Sequence, residues 1–193
     1  GWFACGQSQL CVEVDRLVRS GVSVVVAAGN TGYGTLATEA LGPRKAGIVL
    51  TINDPGNAQL ALTVGSTHRT MPHVYGVSYF SAKGPTGDGR PKPDLLAPGE
   101  KVLSCAAGGF VRNVMDKLPE GSPEPNYVEY TGTSMAAPHV AGCIASFLSV
   151  KREFIGQPER VKEIFLQTAT DLGRERSFQG RGLIDLMRAI QFV

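Results

Sequence analysis

Paired cysteines are missing from this chain: Cys5, Cys11, Cys105 and Cys143 stand apart, and no CxxC occurs in the 193 residues. That argues against a zinc site. An excess of one charge is missing too. Lys and Arg number 19 against 17 Asp and Glu, for a net charge of +2, which argues against a nucleic-acid footprint. No apolar run is read as reaching the ~18–20 residues of a membrane helix. Gly1-Trp2-Phe3-Ala4-Cys5 runs at once into polar residues, so no secretory leader is read there. A processed protein would look the same, so compartment stays open. Internal repeats and low-complexity tracts are absent as well.

What is present is ordinary globular material. Hydrophobic residues are 42% and charged residues 19%, enough for a core. The length suits one domain or a large part of one. With 24 Gly and 12 Pro, many loops are expected. Leu10, Val14, Leu17 and Val18 form a helical stripe over residues 9–20, ended by Gly21. Residues 22–28 form a β-branched apolar run, which reads as a buried strand of a parallel sheet. A Gly- and Thr-rich loop follows from Gly29. Further short strands are predicted at 48–52 and 60–65, parted by the turn Asp54-Pro55-Gly56-Asn57.

Residues 83–93 read as loop, and 94–99 and 102–104 as strand pieces around a turn. Residues 108–126, with Pro119, Pro123 and Pro125, read as a surface excursion, and 128–130 as a short strand. Helices are predicted over 158–168 and 183–190. Alternating helices and buried strands make the class α/β. Cys143 and Cys105 read as small buried hydrophobes. Cys5 and Cys11 could close a short loop in an oxidising compartment, and free thiols fit equally well.

The most informative segment is Gly132-Thr133-Ser134-Met135-Ala136-Ala137-Pro138-His139-Val140-Ala141-Gly142. Gly132 permits close approach, and Thr133 is a good helix-start residue. The run after Met135 predicts a buried helix. Ser134 would then sit at a helix N-terminus, a natural anion site. A nucleophilic hydroxyl beside an oxyanion donor is what acyl transfer needs. A lipase-type elbow would place Gly two residues after the serine, where Ala136 stands.

This block resembles the nucleophile block of the subtilisin-like serine proteases. Asn30, just beyond the strand at 22–28, carries two amide donors. By itself an Asn after a strand is more often a turn residue. The resemblance makes it the oxyanion asparagine, and makes Ala27, Ala28 and Gly29 one wall of the pocket before the scissile bond. It also implies substrate-contacting roles for Gly132 and Thr133. Leu62-Thr63-Val64-Gly65-Ser66, Tyr79-Phe80-Ser81, Pro93-Asp94-Leu95-Leu96-Ala97-Pro98-Gly99 and Gly180-Arg181-Gly182-Leu183-Ile184-Asp185 resemble family segments in the family's order. The likeness runs over roughly residues 1–190. It implies a subtilisin-like three-layer fold with a mostly parallel sheet, and a serine endopeptidase acting on peptides or proteins.

The base is missing. The family's Asp-Ser/Thr-Gly and His-Gly-Thr-His settings do not occur in this sequence. His139 lies about 500° of helical rotation after Ser134, which puts it on another face. A structural role is expected for it, and surface positions for His68 and His73. The expectation is therefore a partial domain spanning residues 1–193, with the N-terminal part of the domain missing. The triad Asp and His would come from sequence outside this chain. Alone it would be inactive, and its exposed sheet edge would favour association. The alternative is a non-catalytic, peptide- or protein-binding relative. No metal ligands are assigned and the chemistry needs no cofactor. The resemblance allows structural calcium in longer relatives, and the Asp54-Pro55-Gly56 turn could lend carbonyls to a weak cation site. It favours an extracellular location, with no nucleic-acid or membrane partner.

Overall fold

The computed structural model describes residues 5–38 and 42–193. The first helix, α1 (Gln9–Arg19), starts where the Ser8 hydroxyl accepts the Cys11 N–H at 3.3 Å. It buries Cys11 and Val18 and ends before Gly21. The first strand, β1 (Val25–Ala27), is shorter than the apolar run that predicted it. Only these three residues find partners, from Val25↔Leu62 to Ala27↔Val64. The expected Gly- and Thr-rich loop is instead an antiparallel hairpin, β2 (Tyr33–Thr38) and β3 (Gly42–Gly47). The strand predicted at 48–52 does not form. Its backbone bonds go to a loop, with Leu50 N–H to Gly84 O and Thr51 N–H to Lys83 O.

The next strand, β4 (Leu62–Thr67), is buried along its whole length. It is followed by the single turn α2 (Pro72–Tyr75), then β5 (Leu95–Pro98) and β6 (Val102–Cys105). The surface excursion holds a helix the sequence did not announce, α3 (Gly109–Met115). The strand β7 (Tyr127–Tyr130) pairs antiparallel with β6 and leads into α4 (Thr133–Val150). The chain closes with α5 (Pro158–Thr168), the short α6 (Arg176–Gln179) and α7 (Leu186–Phe192). The last is capped by Asp185, whose carboxylate accepts the Arg188 N–H at 2.9 Å.

The main sheet is parallel in the order β1-β4-β5. Side chains alternate across it. Leu62, Val64, Leu95 and Ala97 meet Ala136, Val140, Ile144 and Phe147 of α4, with Val161, Ile164 and Phe165 of α5 behind them. Val26 faces the other way, onto Cys11 of α1 with Ala58 and Ala61. Helices thus cover both faces, in three layers. Each fully buried Val, Leu, Ile or Phe contributes roughly 1.5–3 kcal/mol. Leu183 bridges to Leu96 at the outer side of β5. Among the described residues, no strand pairs with the outer edge of β1.

Two expectations change. Residues 133–150 do reach membrane-span length, with a mean hydropathy of 1.3. In the structure this helix lays Ala136, Val140, Ile144 and Phe147 onto the sheet. Cys105 is exposed, because its strand belongs to the two-stranded β6–β7 ribbon and not to the core. Cys143 is partly buried and Cys11 fully so, and burial pushes both thiols above their ordinary pKa. All four cysteines are free, including Cys5 and Cys11.

Buried ammonium groups fasten the loops around the sheet. Lys92 Nζ donates to Ala61 O at 3.0 Å, Thr63 Oγ1 at 2.7 Å and Asp94 Oδ2 at 2.6 Å. Lys162 of α5 reaches the same corner, 2.8 Å from Ala61 O and 3.3 Å from Asp94 Oδ2. Lys83 Nζ donates to the carbonyls of Gly32, Tyr79 and Ser81. Burial lowers its pKa.

Candidate active site

Strand β1 delivers Asn30 and helix α4 delivers Ser134 to the same end of the sheet. The link between them is Thr133. Its N–H donates to Asn30 Oδ1 at 2.9 Å, and its hydroxyl donates to the same oxygen at 3.0 Å. The hydroxyl also accepts the Gly29 N–H at 3.2 Å. With Oδ1 held by two donors, the amide orientation is fixed and Nδ2 points away from them. Among the described residues, Nδ2 has no hydrogen-bond acceptor.

Ser134 is exposed at the second position of α4, where first-turn N–H groups lack intrahelical acceptors. No described side chain hydrogen-bonds its hydroxyl. Gly132 packs tightly beside it: a Cβ there would lie 3.2 Å from Asn30 Nδ2, so the amide would have to give by a few tenths of an ångström. Gly29 is needed for a stronger reason. Its φ is +111°, and a Cβ would fall 2.5 Å from Asn53 Nδ2.

The pocket assignments divide. Ala27 and Gly29 are half-buried. Ala28 is fully buried against Ile52 and Ala82, where it supports the wall from behind. Thr133 is also fully buried. It opens α4 behind the cap residue Gly132, and its hydroxyl is committed to Asn30 and Gly29. The link from Thr133 to Asn30 could not be read from the sequence, because the two residues stand 103 apart. A hydroxyl residue immediately before the nucleophile was the available signal.

His139 is exposed on α4. With Ser134 it lines a cleft of about 360 Å³, together with Val102, Leu103, Ser104, Met135 and Pro138. Its Nδ1 donates to Met135 O at 2.8 Å, one turn back along α4. No hydrogen bond joins it to Ser134. His73 is exposed, whereas His68 is half-buried. The His68 Nδ1 accepts the Thr70 and Met71 N–H groups and so shapes a turn.

The turn at 54–57 is engaged internally. Pro55 O accepts the Ala58 N–H, and Gly56 O accepts the Thr63 hydroxyl at 2.7 Å. Burial alone would raise the Asp54 pKa, but hydrogen bonds from Ser8, Asn57 and Cys11 outweigh it and hold the carboxyl below its ordinary value. Among the described residues, no three His, Cys, Asp or Glu side chains converge as a metal site.

The family profile described as Subtilase family matches residues 4–183. Serine protease AprX of Bacillus subtilis (strain 168) is 30% identical over 190 residues, covering 95% of this chain and 38% of that protein. Subtilisin E of the same organism is 30% identical over 186 residues, with 96% and 38% covered. A solved protease structure from Pseudoalteromonas arctica superposes with a TM-score of 0.62 at 26% identity, covering 93% of this chain and 45% of that one. This chain therefore spans about two fifths of the two Bacillus proteases and under half of the solved chain. The profile match, the parallel sheet and the serine at the head of α4 agree: the chain belongs to the subtilase family.

Proposed function

We propose that this chain is the nucleophile- and oxyanion-bearing part of a serine endopeptidase. In the assembled enzyme Ser134 attacks the scissile carbonyl and forms an acyl-enzyme, which water then hydrolyses. A histidine outside these 193 residues takes the serine proton, and an aspartate outside them orients it. The developing oxyanion is held by Asn30 Nδ2 and the Ser134 N–H. Ala27 and Gly29 contribute one wall of the substrate pocket, and Gly132, itself buried, packs its backbone against Asn30 beside it. The protein acts on peptides or proteins. It needs no cofactor for the chemistry and uses neither nucleic acid nor membrane as a partner. Its place of action is outside the cell, as the family resemblance implies.

One observation carries this reading. The Thr133 N–H and hydroxyl both hold Asn30 Oδ1, which leaves the neutral Nδ2 donor free on a side chain tied to the residue next to an exposed serine at a helix N-terminus. A turn asparagine would have no use for that double clamp. That no described strand pairs with the outer edge of β1 supports a further part of the reading. Parallel sheets are normally covered and paired, so the part holding the base is expected to dock along β1. The same edge favours self-association when that part is absent.

Two experiments test the proposal. A fluorophosphonate probe applied to the full-length protein should label Ser134, and Ser134→Ala should abolish labelling. Absence of label would sink the enzyme reading. The purified 193-residue chain should show no peptide-bond cleavage. Robust cleavage that disappears in Ser134→Ala would show that the base lies within it.

A further inference from the structure

The hairpin of β2 and β3 leaves the fold just beyond Asn30. Its root is clamped. Gly32 N–H donates to Phe80 O at 2.9 Å, and Gly32 O accepts both the Ile48 N–H at 2.9 Å and the buried Lys83 ammonium at 2.8 Å. Gly32 precedes β2 and Ile48 follows β3, so both ends of the arm meet at one carbonyl. Beyond this root the strands pair from Tyr33↔Gly47 to Thr38↔Gly42. Among the described residues, no third strand joins either edge.

Directly opposed residues share a face. On one face of the arm Tyr33, Thr35 and Ala37 stand with Gly47, Lys45 and Pro43, and all six are exposed. Arg44 alternates to the other face, also exposed. Neither Arg44 nor Lys45 has an ion-pair partner among the described residues, and the paired strands contain no carboxylate. At the foot, Tyr33 meets Tyr79 edge to face at 5.4 Å, an exposed aromatic step beside the Asn30 loop. The arm is thus a ribbon with open edges, a cation on each face and a rigid attachment to the oxyanion loop.

We propose that this arm is an exosite: an edge of the β2–β3 ribbon takes an extended, acidic segment of the peptide substrate as an added strand, selected by Arg44 and Lys45. The inference rests on the reading of Ser134 as nucleophile, which makes the occupant a peptide. Main-chain bonds to an open edge supply affinity without sequence preference. The two cations supply the preference, because they repel a basic strand and attract one bearing Asp or Glu.

The test uses the full-length protein carrying Ser134→Ala, so that nothing is cleaved. Fluorescence anisotropy compares a labelled peptide of alternating Val and Glu with its Val and Lys twin. The acidic peptide should bind at least about tenfold more tightly. Arg44→Glu with Lys45→Glu should reverse the order while keeping the ribbon. N-methylation of alternate amides in the acidic peptide should also cost about tenfold, since it removes the strand's donors. Equal affinities for the two peptides, or an unchanged order in the charge-reversed variant, would overturn the proposal. So would undiminished binding of the methylated peptide. Fluorophosphonate labelling of the wild-type protein runs in parallel. Labelling with failed peptide discrimination removes the arm alone, whereas failed labelling removes the reading of Ser134.

Discussion

Replacing Thr133 by Val keeps the shape of the side chain and deletes its hydroxyl. That hydroxyl donates to Asn30 Oδ1 at 3.0 Å and accepts the Gly29 N–H at 3.2 Å. Thr133 is fully buried, so the Gly29 N–H loses its partner where water does not readily replace it. Stability should fall by roughly 1–3 kcal/mol. The catalytic effect is separable. Asn30 keeps the Thr133 N–H at 2.9 Å, so its amide is loosened but not lost. Removing an oxyanion donor outright costs ~10²–10³ in turnover, a magnitude that comes from subtilisin itself and is borrowed from that relative. Thr133→Val should cost less than this and act on kcat, with KM little changed. The assay is steady-state peptide hydrolysis by the full-length protein and its Asn30→Ala, Thr133→Val and double variants. Thr133 acts through Asn30, so adding Thr133→Val to Asn30→Ala should leave kcat where Asn30→Ala put it. Thr133→Ser should restore most of the loss. Full additivity of the two single losses would refute the positioning role.

Lys92 offers a test of electrostatics. Burial is the largest influence on it and lowers its pKa from 10.5 to about 8, against the attraction of Asp94 and with added repulsion from Lys162 and Arg90. Between those values the unfolded chain holds more protons than the folded one, so stability should rise with pH across the window, by roughly 3 kcal/mol in all. Lys92→Met should flatten that rise in urea midpoints taken at about pH 7.5 and about pH 10; an unchanged slope counts against it. Gly132→Ala would put a methyl 3.2 Å from Asn30 Nδ2. It should slow fluorophosphonate labelling of the full-length protein by about tenfold or more, and wild-type labelling would show that the donor does not matter. Phe147 is buried between Phe154 and Phe165, with ring centroids 5.6 Å and 5.5 Å away. Phe147→Ala should cost ~3–5 kcal/mol of unfolding free energy in denaturant titration.

What could be read from the residues was local and periodic. The predicted range 158–168 coincides with α5, and the stripe at 9–20 nearly coincides with α1, because one amphipathic face is enough to announce a surface helix. The strand at 62–67 was legible as a short apolar run. The β2–β3 hairpin was not, since Pro43, Arg44 and Lys45 interrupt any alternation. The strand expected at 48–52 had the right composition, but its backbone partners, Lys83 and Gly84, lie in a loop far along the chain. Ser134 and Asn30 could be singled out by residue type and neighbours. Their coupling through Thr133 could not, because nothing near Thr133 in the chain indicates which acceptor its hydroxyl will meet. His139 borders the same cleft as Ser134, but its ring bonds back to Met135 O along α4.

The Thr133–Asn30 contact closes a loop of 103 residues. Contacts of that separation carry a large ordering cost and tend to form late. Helices α1 and α5 and the β6–β7 ribbon can all take shape before it. Asn30 and Ser134 are therefore brought into register only when β1, β4 and α4 have closed on one another. A chain still partway through folding carries Ser134 at a helix end but has no aligned Asn30 beside it. Timing is thus built into the topology: the Thr133–Asn30 clamp arrives only when the sheet and α4 have closed on one another.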